Sequence, residues 1–190
     1  MPLILAILVL VWARAARIPW RDLGFVRPQS WLRTILAGIL FGSALKIVMK
    51  AVVMPLFDAS AANPAFQYLV WNSSFLPEAL LTVIVVAGFG EEVVFRGFLF
   101  ERLGKLIGHA AWAKALIVAL TATLFGAAHY SLQGIAGVQQ ATIVGLIFGA
   151  IYAVTGRLWM LIVAHAAFDV TAVGIIYFDL ESTIATLVFP

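Results

Sequence analysis

The order of apolar and polar positions divides the chain into about six hydrophobic segments separated by short polar stretches. A helix that crosses the hydrocarbon core of a bilayer needs about 20 mostly apolar residues. The first segment is shorter than this and is interpreted either as a truncated span or as a signal-like segment. The pattern predicts an all-α fold, a polytopic membrane helix bundle in a single domain of residues 1–190. The predicted spans are residues 2–13, 31–57, 77–103, 112–130, 132–154 and 158–178.

Composition points to lipid as the solvent of these helices. Of the 190 residues, 64% are hydrophobic and 11% are charged, whereas soluble domains are about half apolar and about one quarter charged. A soluble core of this size could not bury so much apolar surface. The formal net charge of +3 is too small to indicate nucleic-acid binding. The absence of cysteine excludes disulfides, thiolate metal sites and cysteine nucleophiles.

The basic residues predict the topology of the bundle. Arginine and lysine occupy the loops between spans one and two, three and four, and five and six, whereas the loops on the other side contain none. The positive-inside rule places the basic side in the cytoplasm, and we expect the plasma membrane. Lys46 and Lys50 do not follow this pattern, because they lie in the outer half of span two. There they could snorkel to the interface or face a cavity.

Charged and titratable groups inside the spans are where function is expected, since such groups are costly in a bilayer. Glu92 and Arg96 are four residues apart, so they share a helix face and can form a buried, supporting ion pair. Glu91 is then left without a local partner, and a carboxylate in an apolar site can be poised as a general base or acid. The clusters on spans three, four and six are Glu91, Glu92 and Arg96; His129; and His165 with Asp169.

Two imidazoles and two carboxylates make up the candidate catalytic set, which is Glu91, His129, His165 and Asp169. This set suits Zn²⁺ holding an activated water, with all four residues as ligands. It also suits a metal-free site, in which Glu91 and a histidine activate water and the remaining pair binds the oxyanion. Counted along ideal helices, His129 lies about 10 Å further out than the others. Helix tilt, or a fourth span that starts deeper, would correct this offset.

The three motifs, in this order on successive predicted helices, resemble those of a known family. The pattern E-E-x-x-x-R, then F-x-x-x-H, then H-x-x-x-N/D is similar to that of the CPBP family, the CAAX protease and bacteriocin-processing proteins. The family is also called CAAX prenyl protease type 2 or the abortive-infection family. Residues 22–25 and 152–158 resemble segments of its members as well. The resemblance covers roughly residues 21–174, with a core peptidase-like region of about residues 75–178.

The resemblance implies an intramembrane endopeptidase that cuts a membrane-associated substrate, of CAAX type or another peptide, at a site open to the cytoplasm. It implies that Glu91 activates water with His129 as its partner, and that His165 and Asp169 hold a metal or the oxyanion. Both a membrane metalloendopeptidase with Zn²⁺ and a metal-free glutamate-type peptidase stay open. Asp169 stands where the family frequently has asparagine. A carboxylate cannot donate to an oxyanion unless protonated, so Asp169 favours a cation-ligand or histidine-orienting role.

Two other function classes are also compatible with the sequence. A non-catalytic membrane scaffold or bacteriocin self-immunity protein of the same fold would tolerate Glu91→Gln. A small ion-coupled transporter would use Glu91 and Asp169 as proton or cation relays, although no inverted repeat is visible. Other intramembrane protease types are excluded, because the chain has no H-E-x-x-H, no Gly-Asp signature pair and no G-x-S-x-G elbow.

Overall fold

A computed structural model describes residues 2–189, and within that range the chain is helical and contains no strand. This confirms the predicted all-α bundle. Short 3₁₀ turns at Trp20–Leu23, Pro64–Leu69 and Ser73–Phe75 occupy two of the connecting loops. The helices, in chain order, are α1 (Pro2–Ala15), α2 (Trp31–Leu56), α3 (residues 76–107), α4 (Ala111–Ala128), α5 (Tyr130–Thr155), α6 (Trp159–Tyr177) and α7 (Glu181–Ala185).

Each of the six predicted spans is a helix, and four of them are long and apolar enough to cross a membrane. These four are α2, α4, α5 and α6. The helix α3 is longer than any of them but carries Glu91, Glu92 and Arg96 near its middle. The first helix has only 14 residues, so its crossing stays a prediction. The protein is therefore a multi-pass membrane protein built on at least these four apolar helices.

Residues with special capping roles mark the helix ends. The Ser30 side chain caps α2 by accepting a hydrogen bond from the Arg33 amide at 3.3 Å, as N-cap serines do. Pro77 lies in the first turn of α3, where a missing amide hydrogen costs nothing. Gly156 ends α5 with a left-handed backbone (φ 60°), which glycine adopts without strain. An N-cap serine, a first-turn proline and a C-terminal glycine therefore account for where these helices begin or end.

Glycines bring α6 into backbone contact with the helices on both of its sides. A Cβ on Gly42 of α2 would collide with the carbonyl oxygen of Ala164 in α6. A Cβ on Gly88 of α3 would lie 3.0 Å from the amide nitrogen of Ala166. Small residues are what allow helices to approach this closely in lipid. Gly42 and Gly88 are therefore close-packing positions, and α6 is held between α2 and α3.

The two loop segments that carried part of the family resemblance contact one another. The Leu158 amide donates to the Gly24 carbonyl at 2.9 Å. Gly24 has φ 83° and lies against the ring of Tyr152, so a side chain there would be both strained and obstructed. Leu23 and Leu158 are fully buried beside this contact. The α1–α2 loop is therefore anchored to the turn between α5 and α6.

Much of α3 has widened turns with i→i+5 hydrogen bonds, over Thr82–Glu91 and Val93–Leu99. A shorter stretch of the same kind, Met49–Val53, interrupts α2. Such turns are rare and occur frequently at functional sites. In this protein they flank Glu92 and contain Glu91, Arg96 and Lys50.

The outer surface of the bundle is apolar, as a lipid-facing surface should be. Leu32 and Leu40 of α2 are 68% and 70% exposed, which would be unfavourable in water over so long a helix. Trp31 and Trp159 pack edge to face at 5.3 Å at one end of the bundle. At the other end Trp71 packs against Tyr177 at 5.8 Å. Aromatic residues at both ends match the belts that membrane proteins place at the two interfaces.

Candidate functional site

A cavity of about 1060 Å³ enters the bundle from the end formed by residues 59–69 and the start of α3. Its wall includes all four candidate catalytic residues from three different helices or helix ends. Lysine and glutamine side chains from α2 and α5 also line it. The four candidates on the wall are Glu91, His129, His165 and Asp169.

The expected outward offset of His129 does not separate it from the other candidates. His129 stands at the junction of α4 and α5 and lines the same cavity as Glu91. Its ring packs against Phe125 with centroids 4.7 Å apart, and the Phe125 ring lies 5.9 Å from that of His165. The cavity opens at the end where α4 finishes, so a residue near that end still reaches it.

One buried carboxylate joins α3 to α6. Glu92 Oε1 accepts a hydrogen bond from Arg96 Nη1 at 2.7 Å and another from His165 Nδ1 at 2.7 Å. All three residues are less than 5% exposed. The predicted Glu92–Arg96 pair is confirmed, whereas the bond to His165 was not predicted. Because a carboxylate only accepts, His165 Nδ1 must carry a proton, and this leaves Nε2 as the reactive nitrogen.

His165 Nε2 faces two further carboxylates. It lies 3.8 Å from Glu91 Oε2 and 3.5 Å from Asp169 Oδ2. Both distances exceed a normal N–H···O hydrogen bond. Asp169 therefore lies beside His165, as the four-residue spacing predicted, but Glu92 is the residue that orients the ring.

Two buried oxygens have no hydrogen-bond partner among residues 2–189, namely Glu91 Oε2 and Glu92 Oε2. An unpartnered buried polar atom is costly and calls for a specific explanation, such as a catalytic role. Glu92 already has two partners through its other oxygen. Glu91 makes no side-chain hydrogen bond within the described part of the chain, so its carboxylate is free to act on a ligand in the cavity.

Aromatic rings hold the buried charges in place. The Arg96 guanidinium lies 4.7 Å from the Phe125 ring centroid and 5.6 Å from that of Phe148. The same two rings pack edge to face against His165. Cation–π contact of this kind stabilises a desolvated arginine. Phe148 in α5 was not singled out by the sequence, since a phenylalanine in an apolar span carries no distinguishing signal.

A backbone hydrogen bond orients His129. Its Nδ1 lies 2.8 Å from the carbonyl oxygen of Phe125, one turn earlier in α4. A carbonyl oxygen only accepts, so Nδ1 is the protonated nitrogen and Nε2 can accept a hydrogen bond. Both candidate histidines thus use Nδ1 for structure and keep Nε2 for chemistry.

The candidate residues do not fit the expected zinc site. A catalytic Zn²⁺ takes three protein ligands and one water. Within residues 2–189, no group of three or more His, Asp or Glu side chains is arranged to hold a metal ion. His165 is flanked by Glu91 and Asp169, but His129 does not complete a ligand set with them. The four residues therefore share a cavity without forming the four-ligand site that was expected.

The two lysines that departed from the charge pattern face this cavity rather than the membrane surface. Lys50 Nζ pairs with Glu181 Oε1 at 2.8 Å and also contacts the Ala61 carbonyl oxygen. Glu181, which the sequence placed in an outer loop, is only 4% exposed. It also accepts hydrogen bonds from the Asn63 amide and from Gln67 Nε2 at 2.9 Å. Residues 61–67 and α7 are thereby fastened to α2 at the cavity mouth.

The basic loops gather at the opposite end of the bundle. A smaller cavity there is lined by Arg21, Lys105 and Lys114, among others. If the basic end is cytoplasmic, the main cavity opens away from the cytoplasm. The orientation of the bundle in the membrane, and with it the side from which the site is reached, stays a prediction.

Comparison with known proteins agrees with the motif pattern. The chain is similar to a protein of Escherichia coli described as "Uncharacterized 24.3 kDa protein", with 28% identity over 150 residues. That alignment covers 77% of this chain and 63% of the relative, so the chain spans less than two thirds of the relative's length. No solved structure matches the chain. A family model described as "Type II CAAX prenyl endopeptidase Rce1-like" matches residues 72–171, which include every candidate catalytic residue. The chain therefore belongs to the Rce1-like family of type II CAAX prenyl endopeptidases.

Proposed function

We propose that the protein is an intramembrane endopeptidase that hydrolyses a peptide bond of a membrane-associated substrate within the main cavity. The observation that carries this proposal is the Glu91 carboxylate. Its Oε2 is buried, has no hydrogen-bond partner in the described chain and lies 3.8 Å from His165 Nε2 in the cavity wall. A carboxylate in this setting is suited to general-base catalysis. The family's name makes a prenylated C-terminal peptide the first substrate class to test.

In the proposed reaction Glu91 takes a proton from a water molecule, and His129 Nε2 accepts a hydrogen bond from the same water. The water oxygen attacks the carbonyl carbon of the scissile peptide bond. His165 Nε2–H donates to the oxyanion that forms, and Glu92 at Nδ1 balances the charge on the ring. The C–N bond then breaks, and Glu91 returns its proton to the leaving amine. The products are a carboxylate and an amine.

Asp169 has a different role in this scheme. As a carboxylate it only accepts hydrogen bonds, so it does not contact the oxyanion. At 3.5 Å from His165 Nε2 it stabilises the protonated ring. The surrounding helices exclude bulk water, which strengthens each of these electrostatic interactions. No step passes through a metal ion, because the side chains do not form a ligand set.

The orientation we propose follows the charge rule, with the basic loops in the cytoplasm of a plasma-membrane protein. The cavity then opens on the outer side, where the Lys50–Glu181 ion pair lines its mouth. This replaces the cytoplasmic opening that the resemblance implied.

Cleavage by the protein purified in detergent tests the proposal. The substrates are peptides with an S-farnesyl cysteine near the C-terminus, with matched peptides that lack the lipid. We expect Glu91→Gln to lower the cleavage rate by about 10²- to 10⁴-fold, the usual contribution of a general base. Asp179→Asn, the same carboxylate-to-amide change at an exposed position, should leave the rate unchanged. Full activity in the Glu91→Gln protein would contradict the proposal and favour a scaffold or transport role.

A further inference from the structure

Two lysines one helical turn apart on α2 have contrasting surroundings. Lys46 and Lys50 are each 9% exposed, and both line the main cavity. Lys50 forms a complete ion pair with Glu181 at 2.8 Å. Lys46 has no carboxylate within 4.0 Å among residues 2–189. A buried charge without a counter-ion is costly in a membrane protein and marks a functional position.

The protein contacts of Lys46 leave much of its binding capacity unused. Its Nζ donates to Gln140 Oε1 of α5 at 3.1 Å and lies 5.0 Å from the Phe168 ring centroid. An ammonium group has three donors, and neither a neutral amide nor an aromatic ring neutralises its charge. The contacts with Gln140 and Phe168 hold Nζ in place at the cavity wall. The charge of Asp169 acts on Lys46 across the cavity, but no carboxylate among residues 2–189 forms a direct ion pair with its ammonium group.

The ammonium group lies within peptide reach of the catalytic residues. Phe168 precedes Asp169 in α6, and His165 lies three residues before Phe168, a rise of about 4.5 Å. An extended peptide spans at most about 3.5 Å per residue, so three residues cover about 10 Å. A substrate whose scissile bond lies at Glu91 and His165 could therefore place a group two or three residues further along at Lys46.

We propose that Lys46 binds the free α-carboxylate at the C-terminus of the substrate. This inference rests on the proposed peptidase function, because it names the feature by which the same cavity recognises its substrate. The pairing explains why Lys46 is buried at the cavity wall without a direct ion pair. It also makes α2 a specificity-determining wall of the site.

Binding, measured separately from cleavage, tests this assignment. Three fluorescent farnesylated peptides would be titrated onto the purified full chain: one with a free C-terminus, its C-terminal amide, and an amide that carries aspartate as the last residue. The affinity of each peptide is measured for the Glu91→Gln protein, in which turnover is blocked. It is measured again for the double variants that combine Glu91→Gln with Lys46→Met or with Lys46→Arg. Lys46→Gln serves as a second neutral variant, and melting temperature in detergent shows that each protein is folded.

We expect the free acid to bind at least ~10-fold more tightly than the amide, equivalent to about 1.4 kcal/mol. Lys46→Met and Lys46→Gln should abolish this preference, and Lys46→Arg should retain most of it. Equal binding of acid and amide, no binding of either, or a preference that survives both neutral variants would each overturn the assignment. So would tight binding of the aspartate amide, because the cavity would then read a side chain. If the preference is present but the wild-type protein cleaves nothing, the peptidase function fails while the carboxylate site stands.

Discussion

Glu92 in α3 accepts a hydrogen bond from Nδ1 of His165 in α6 at 2.7 Å, and the same oxygen atom pairs with Arg96. One buried atom thus fixes a helix register and the tautomer of a candidate catalytic histidine. The effect of this carboxylate on stability can be separated from its effect on catalysis. If Arg96 is removed together with the Glu92 charge, no unpaired buried charge remains, but His165 still lacks its carboxylate partner.

We therefore predict different effects for a single and a double substitution. Glu92→Gln leaves Arg96 as an uncompensated buried charge and should lower stability by about 3–5 kcal/mol. The Glu92→Gln, Arg96→Met double variant should recover most of that loss and still cleave poorly. Thermal unfolding and cleavage assays on the same detergent samples measure both quantities. A double variant that is both stable and fully active would show that the bond to His165 has no catalytic importance.

Metal chelation should not affect the proposed activity. The residues first considered as zinc ligands share a cavity but do not come together as a set of three. Exhaustive treatment with EDTA and 1,10-phenanthroline should leave the cleavage rate within about two-fold of the untreated protein, because the proposed proton transfers use side chains alone. Metal analysis of the same preparation is the control. Activity that disappears on chelation and returns with stoichiometric Zn²⁺ would restore the metalloendopeptidase interpretation.

The pair between Lys50 and Glu181 should control the order of the cavity mouth. Glu181 also binds residues of the preceding loop through Asn63 and Gln67. Glu181→Gln should therefore speed proteolytic nicking within residues 58–74, because the ion pair with Lys50 is lost and one of the two acceptor oxygens becomes an NH₂ donor. A Glu181→Gln, Lys50→Met double variant should be less affected than the sum of the single changes. Unchanged proteolysis in every variant would mean that the loop is held by other contacts.

Topology can be measured directly because the chain has no cysteine of its own. A single cysteine at Asp58, beside the main cavity mouth, should react with a membrane-impermeant maleimide added to intact cells or spheroplasts. A single cysteine at Arg157, in the basic turn between α5 and α6, should react only after the membrane is opened. This follows from the charge rule. The reverse pattern would place the cavity on the cytoplasmic side.

The helices were predictable from the sequence because lipid imposes one strong requirement, that each span be long and apolar. The boundaries of α2, α4, α5 and α6 lie within about two residues of the apolar segments, as expected when caps and prolines define the ends. The Glu92–Arg96 pair was also predictable, since it depends only on spacing within one helix.

Contacts between segments that are distant along the chain could not be predicted from the sequence. The Glu92–His165 bond joins residues 73 positions apart, and the Lys50–Glu181 pair joins residues 131 apart. Periodicity carries no information on such pairings. Glu181 follows the last predicted span, yet it is buried because the loop of residues 61–67 folds over it. The direction in which the cavity opens could not be predicted for the same reason, since it depends on how the helices assemble.

The glycine contacts of α6 determine which of the helices around the cavity can move. At Gly42 and Gly88 the helices touch through backbone atoms. A change of side-chain rotamer therefore cannot separate α2 or α3 from α6. These three helices form a stiff frame that carries the reactive groups. The hairpin of α4 and α5 packs chiefly on itself, and α1 packs chiefly on α3. We therefore expect a lipidated substrate of the proposed kind, entering from the bilayer, to displace the α4–α5 hairpin or α1, while the frame keeps Glu91 and His165 at a constant separation.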